Sequence, residues 1–403
     1  LSRNPVKAVV YPARTVAGYG HIYSLGVAGI PVVALHSKWG YAFHSRYVKE
    51  RYVTPDAAQQ PEAFVDWLIR YGKQQTQKPV LFLAEDLYAF LASANAERLS
   101  QYYRYPYIDL DCLPLFFDKR LMFREAEAAG LNVPPTLFSP LSDDQVRSWR
   151  HFPAVIKPVV SRFSFSGAEV IKRPAFPKIF KGKALEARNY DALQSAVRAV
   201  EREGFEYCVQ RLIPGPNDRI YNVKFVADRD GRIPSCFISK KQRQQPADFG
   251  TCCVAISEYA EELHQQTQAF CTHTQYCGPG GMEFKRDSDC FWFIEVNPRL
   301  DFWIRMAVLK GVNLPLQQYC LSLGQELKSA KQEDGGPAWI DIEGDLKGKW
   351  WRTRHPEYPL DWKEYVKPYR AFDEAVWNRR DPIPGLLNFA RMVPSLIRSR
   401  FSR

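Results

Sequence analysis

The chain has 403 residues, of which 46% are hydrophobic and 25% charged, and its formal net charge is +11. That length exceeds one ordinary hydrophobic core and predicts two or three domains, while the composition excludes a disordered chain. Apolar runs are short and broken by charge, which excludes a transmembrane helix, and the charged start leads into no sustained apolar stretch of the signal-peptide kind.

The first elements predict an α/β unit. Ala8-Val9-Val10-Tyr11 reads as a short strand. Gly18, Gly20, Gly26 and Gly29 follow, with helical spacing over residues 22–28 and a second strand over residues 30–35. Strand, glycine turn, helix and strand make a βαβ unit with a parallel sheet. Gly18-Tyr19-Gly20 falls short of G-x-G-x-x-G and reads as a tight turn between strand and helix. A helix over residues 61–71 and a buried strand over residues 79–84 complete a Rossmann-like domain, residues 1–111. A second unit, residues 112–328, opens with a helix over residues 118–130 that Gly130 closes. Residues 153–158 form a buried strand ending in Lys157, followed by a Ser-rich loop over residues 161–167. Residues 207–213 form another strand, stopped by Pro214-Gly215-Pro216. Strands over residues 221–227 and 233–239 flank the turn Asp228-Arg229-Asp230-Gly231. Residues 329–403 shift to an aromatic-rich, basic extension.

Charge and cysteines bound the partners. No dense Lys/Arg block is interleaved with aromatics, so a basic surface or a pocket for a phosphorylated ligand is expected, and no nucleic acid. The nine cysteines contain no C-x-x-C pair. Free thiols in a reducing cytoplasm follow, and a zinc ribbon does not.

Residues 280–299 carry the chemistry. Glu283 sits in one apolar segment and Glu295 in the next, with a polar turn between. Strand alternation puts Phe291, Phe293, Glu295 and Asn297 on one face and Cys290, Trp292, Ile294 and Val296 on a core face. A three-residue loop over residues 287–289 pairs Glu283 with Phe293 and brings it to the face of Glu295; a two-residue loop sends it to the other. The odd-length loop is expected. Two carboxylates and an amide oxygen then suit Mg²⁺, with Arg299 placed to hold the phosphate that the metal bridges.

At this point the sequence resembles the ATP-grasp superfamily, from Ala8 to about Tyr319. The resemblance rests on Asp118-Lys119, Gly130-Leu131-Asn132-Val133-Pro134-Pro135-Thr136, Val155-Ile156-Lys157-Pro158, Gln210-Arg211-Leu212-Ile213-Pro214-Gly215, Met282-Glu283-Phe284, Glu295-Val296-Asn297-Pro298-Arg299 and Gly311-Val312-Asn313-Leu314-Pro315. It is similar to carboxylate–amine ligases such as D-aspartate ligase and to carbamoyl-phosphate synthetase. It implies an α+β ATP-grasp domain with a phosphate-loop lobe (about residues 150–213) and a magnesium lobe (about residues 214–328). It also implies site roles. Lys119 and Lys157 would contact ATP phosphates, and Ser164, Ser166 and Gly167 would close over them. Gln210 and Ile213 would hold adenine, and Asp218 the ribose. Glu283, Glu295 and Asn297 would hold Mg²⁺, with Mn²⁺ as a substitute, and Arg299 would stabilise the transferring phosphoryl group. The sequence departs from the usual pattern in its Ser- and Phe-containing phosphate loop and in Gln210, where an acid is common.

Lys240, Lys241 and Arg243 form a basic cluster, of which Arg243 is the candidate for the triphosphate or acyl phosphate. Arg305 is a candidate for a substrate carboxylate. In the tail, residues 385–400 are apolar and basic. Packing of their apolar face on the body is expected, with Pro394 interrupting the helix; a membrane-surface contact is the alternative. The implied activity is a cytoplasmic, ADP-releasing C–N ligase that joins a small-molecule carboxylate and an amine, amino acids among them, through an acyl phosphate, as a monomer or homo-oligomer. Other acceptors (bicarbonate or a thiol) and a non-catalytic nucleotide-binding protein are the alternatives.

Overall fold

The buried strands and glycine-containing helix at the start of the sequence close into an all-parallel sheet. A computed structural model describes residues 5–160, 163–166, 169–172, 175–180 and 182–401. Strands β1 (Ala8–Tyr11), β2 (Val32–His36), β3 (Val48–Val53) and β4 (Val80–Leu83) take the order β3-β2-β1-β4. Burial on both faces explains why β1 and β4 read as unbroken apolar runs. The first helix, Val16–Val27, starts earlier than its spacing suggests, because Thr15 caps it by accepting from the Gly18 N–H at 3.0 Å. Gly18 and Gly20 therefore lie inside the helix and not in a turn before it. A Cβ on Gly18 would come 2.1 Å from the Pro12 carbonyl oxygen, so this glycine is required by close packing.

The second sheet contains β5 (Thr136–Phe138) and β6 (Ala154–Pro158). A two-stranded hairpin, β7 (Phe163–Ser166) and β8 (Glu169–Lys172), follows β6. Strands β9 (Leu185–Ala187) and β10 (Tyr207–Arg211) complete the sheet in the order β5-β10-β6-β9. Helix Tyr190–Arg202 covers it through Leu193, Val197 and Val200, an apolar stripe at helical spacing.

The third sheet is built from β11 (Ile220–Ala227), β12 (Cys236–Gln245), β13 (Thr251–Ser257), β14 (Gly278–Asp287), β15 (Cys290–Asn297), β16 (Ala338–Ile340) and β17 (Phe372–Glu374). Its order is β15-β14-β11-β12-β13-β16-β17. Residues 329–403 thus add two strands to the edge of this sheet. One core joins the parallel sheet to the third sheet: Ile22, Val32 and Phe82 pack in the same cluster as Ile304, Ala307 and Trp339. All nine cysteines are free thiols. No described helix is long and apolar enough to cross a membrane.

Candidate active site

The carboxylate pair forms, but by a different route from the expected one. The turn between β14 and β15 has two residues, since Asp287 pairs directly with Cys290, and Ser288 takes a positive φ of 54°. A two-residue turn in a regular ladder would separate the two acids. Instead the register shifts between Glu283 and Phe284, so that Phe284 pairs with Phe293 and Glu283 with Glu295, leaving Ile294 as the extra residue of a bulge. The expected loop length is therefore corrected, and so is the assignment of faces. Phe291 and Phe293 join Val296 in the core, while Ile294 turns with Glu295 to a cavity.

That cavity, of about 500 Å³, is walled by β6 and β10 on one side and by β12, β14 and β15 on the other. It brings together Lys119, Lys157, Gln210, Ile213, Glu283 and Glu295 from among the expected residues, and adds Lys183, Asn217, Lys241, Gln244 and Lys285. Lys119 opens helix Lys119–Ala128, whose cap Asp118 accepts from the Arg120 N–H at 2.9 Å. Lys157 is next to last in β6, with its Nζ 5.7 Å from the centre of the Phe123 ring. Burial pushes the Lys157 ammonium below its ordinary value, and Lys119 adds to the effect. An anionic ligand would relieve both. Gln210 donates from Nε2 to Thr136 Oγ1 at 2.8 Å, which leaves its carbonyl oxygen for a donor such as an adenine amino group.

Among the other expected residues, Asp218 and Arg243 stand apart from the cavities. Asp218 is exposed on the turn Asn217–Arg219 and does not line the cavity; Asn217 does. Arg243 is turned away by irregularities in the β12–β13 pairing at Lys241, Arg243 and Gln244. It makes a bidentate pair with Asp345 at 2.7 and 2.8 Å and lies 4.5 Å from the centre of the Tyr365 ring. It ties the residues after 329 to the sheet. Lys241, rated below Arg243 on sequence, is the one that faces the carboxylates, with Nζ 2.8 Å from Glu283. The backbone of Ser164 and Ser166 lies in β7; their side chains and Gly167 lie outside the described residues.

Burial alone would raise the Glu295 carboxyl. The Asn297 amide, 3.2 Å away, and the Lys119, Lys183 and Lys241 ammonium groups outweigh it and hold the carboxyl below its ordinary value. Asn222, opposite Glu283 on β11, has a buried side-chain oxygen with no hydrogen-bond partner among the described residues. No described cluster of three or more His, Cys, Asp or Glu side chains is arranged to hold a metal by itself. Two carboxylates and neighbouring amide oxygens nevertheless fit a hard cation that would take further oxygen ligands from a phosphorylated ligand and water.

Asn297 and Arg299 line a second cavity of about 450 Å³, with Thr15, Glu85, Asp86, Phe116 and Asp301 among its other walls. The first cavity does not include Arg299. Its Nε lies 2.7 Å from Asp86 and its Nη1 2.6 Å from Asp301. Asp301 also pairs with the buried Lys224. Burial would raise the Asp301 carboxyl, but Lys224 and Arg299 bring it down to about 2. Sequence reasoning missed Glu85 and Asp86. Their signal was position, at the carboxyl end of a buried parallel strand where open α/β sheets bind ligands. Arg305, a candidate for a substrate carboxylate, is buried and donates to the Glu374 carbonyl at 2.7 Å.

No family model matches the chain. Over 268 residues it is 24% identical to a D-aspartate ligase of Enterococcus faecium, a match that takes in 62% of this chain and 61% of the relative, so the chain spans less than two thirds of that protein. An ADP complex of N5-carboxyaminoimidazole synthetase from Staphylococcus aureus superposes with a TM-score of 0.62 at 13% identity, over 93% of this chain and 92% of that one. An L-amino acid ligase from Bacillus licheniformis superposes with a TM-score of 0.56 at 16% identity, over 80% and 75%.

Proposed function

We propose that this chain, whose fold is that of the ATP-grasp enzymes, is an ATP- and Mg²⁺-dependent ligase that joins a small-molecule carboxylate to an amine. The observation that carries the reading is Glu283 set opposite Glu295 on the wall of a cavity that also holds Lys119 and Lys157, with Asn297, hydrogen-bonded to Glu295, on the wall of a second cavity together with Arg299. Adenine fits between Gln210 and Ile213, with the triphosphate running toward Lys119, Lys157 and the two carboxylates. Glu283, Glu295 and Asn297 would hold Mg²⁺, which supplies charge neutralisation at the phosphate oxygens.

The carboxylate substrate then belongs in the second cavity, with one oxygen near the γ-phosphate. That oxygen attacks phosphorus, the bond to the bridging oxygen of ADP breaks, and an acyl phosphate results. The amine nitrogen attacks the acyl carbon, the carbon–oxygen bond to phosphate breaks, and amide, inorganic phosphate and a proton are released. Arg299, fixed in position by Asp86 and Asp301, presents its guanidinium where charge develops on the transferring group. Of the three carboxylates on the wall of the second cavity, Asp86 and Asp301 are engaged by Arg299, and Asp301 also by Lys224, which leaves Glu85 to meet an amine arriving as ammonium.

The test is ADP release from Mg-ATP across pairs of amino acids, with hydroxylamine as an alternative nucleophile. A pair-dependent release, together with a hydroxamate formed from one partner only, is expected. Binding of Mg-ATP with no turnover on any pair and no hydroxamate would favour a nucleotide-binding protein that does not catalyse.

A further inference from the structure

The last described helix, Pro382–Phe401, is apolar on two sides. Its inner side buries Asn388, Met392 and Leu396. Arg391 and Ser395 reach Glu343 of the helix Ile342–Arg352 at 2.6 and 2.7 Å. Asp381, just before the helix, is buried and accepts from Ser45 Oγ at 2.6 Å and from the Arg46 N–H at 2.9 Å. Pro394 does not interrupt the helix, and it lies on the exposed side.

The outer side departs from the expected packing on the body. Ile383, Leu386, Leu387, Val393 and Ile397 are 51, 56, 39, 54 and 54% exposed. Their spacing of three and four residues, with a longer step across Ala390, sets them along one stripe of the helix. A contiguous apolar stripe left in water marks a surface meant to be covered. The charge around it is one-sided. From residue 375 onward the sequence holds Arg379, Arg380, Arg391, Arg398, Arg400 and Arg403 against the single acid Asp381; Asp381 is engaged by Ser45 and Arg46, and Arg391 by Glu343. Arg379 and Arg380 are exposed at the start of the helix and form no ion pair with the described residues.

We propose that this helix lies flat on an anionic lipid surface, with the stripe from Ile383 to Ile397 entering the acyl boundary and the flanking arginines meeting headgroup phosphates. An interfacial helix of this kind needs an apolar face and basic neighbours, not a membrane-spanning length. A second copy of the chain fits less well, because a two-fold interface through the stripe would bring the arginines against their own counterparts.

The test is sedimentation of the full chain with phosphatidylcholine vesicles, with and without phosphatidylserine. Pelleting with phosphatidylserine vesicles is expected, reduced about tenfold without the anionic lipid or in high salt. The double substitution Leu386→Asp and Val393→Asp should remove it, with the cooperative thermal unfolding of the ligand-free protein retained to show that the protein is folded. Arg379→Gln with Arg380→Gln, which leaves the stripe untouched, should weaken it by severalfold. Wild-type protein remaining in the supernatant with anionic vesicles would overturn the proposal, as would binding that neither variant changes. Light scattering that shows a dimer lost on Leu386→Asp, without vesicle binding, would assign the stripe to a second copy and overturn it equally.

Discussion

Glu283 stands directly opposite Glu295 across β14 and β15, and it does so because β15 carries one extra residue at Ile294. The two carboxylates are therefore a pair set by backbone register, with Lys241 against one and Asn297 against the other. Groups that act as a unit lose their function together. Glu283→Gln, Glu295→Gln and the double variant should each lower ADP release by a similar factor, on the order of 10²–10³. Multiplying losses in the double variant, measured by steady-state ADP release, would show that the two acids act separately.

Arg243 and Lys241, two residues apart on β12, should behave in opposite ways. Arg243→Ala leaves Asp345 buried without its partner, and loss of one member of a buried pair costs about 3–5 kcal/mol. Thermal melts should show that loss, while the affinity of the folded protein for Mg-ATP stays within about twofold of wild type. Lys241→Met leaves Glu283 without its cation, but Glu283 lines the cavity and is more exposed than Asp345, so the melting temperature should fall less than for Arg243→Ala while Mg-ATP binding weakens about tenfold or more in titration calorimetry.

His21 should make the fold sensitive to acid. Burial lowers its imidazolium pKa from 6.5 to about 4, and the ring is packed 5.8 Å from Phe82 with Nδ1 2.9 Å from the Ala17 carbonyl. The unfolded chain takes up this proton near pH 6.5 and the folded one not until about 4. Between those values the unfolded state binds more protons, so stability is full above pH 6.5 and falls as the pH drops toward 4. The loss attributable to this group is roughly 3 kcal/mol. His21→Gln, which keeps a donor for Ala17, should flatten urea-unfolding stability across that window. His36, also lowered to about 4 by burial, should retain part of the slope.

Arg299, just beyond β15, is held by Asp86, the first residue of the helix Asp86–Ala94 that follows β4, so its position depends on how that helix sits against the end of β15. Asp86→Asn should lower kcat with little change in KM for ATP, because it loosens the guanidinium without touching the first cavity. Arg299→Lys, which cannot keep the bidentate contact, should cost at least about 10² in kcat. An equal rise in KM for ATP in either variant would place Arg299 in nucleotide binding.

The sequence made much of this legible. Ala8–Tyr11, the strand that carries Lys157 and the two apolar segments around Glu283 and Glu295 lie where their apolar runs indicate, because fully buried strands print continuous hydrophobic runs. What stayed hidden was irregularity. The bulge at Ile294 and the register shifts near Arg243 insert or skip a pairing partner, and a period of two cannot register them. They reversed the expected face of Phe293 and turned Arg243 away from the cavity. Strands β16 and β17, three residues each, are too short to leave a pattern, so residues 329–403 read as an extension although they complete a sheet edge. Contacts between elements distant in sequence, Asp86 with Arg299 above all, have no local signal.

The central claim is that Glu283 and Glu295 hold a divalent cation together with a nucleotide. It is tested most directly by the water-proton relaxation of Mn²⁺ titrated into the protein with ADP, a measurement that needs no knowledge of the substrates. Wild-type protein should show an enhanced relaxation rate that depends on ADP, lost in Glu283→Gln and in Glu295→Gln while both variants keep the wild-type melting temperature without ligand. Enhancement of equal size in wild type and both variants would contradict the account.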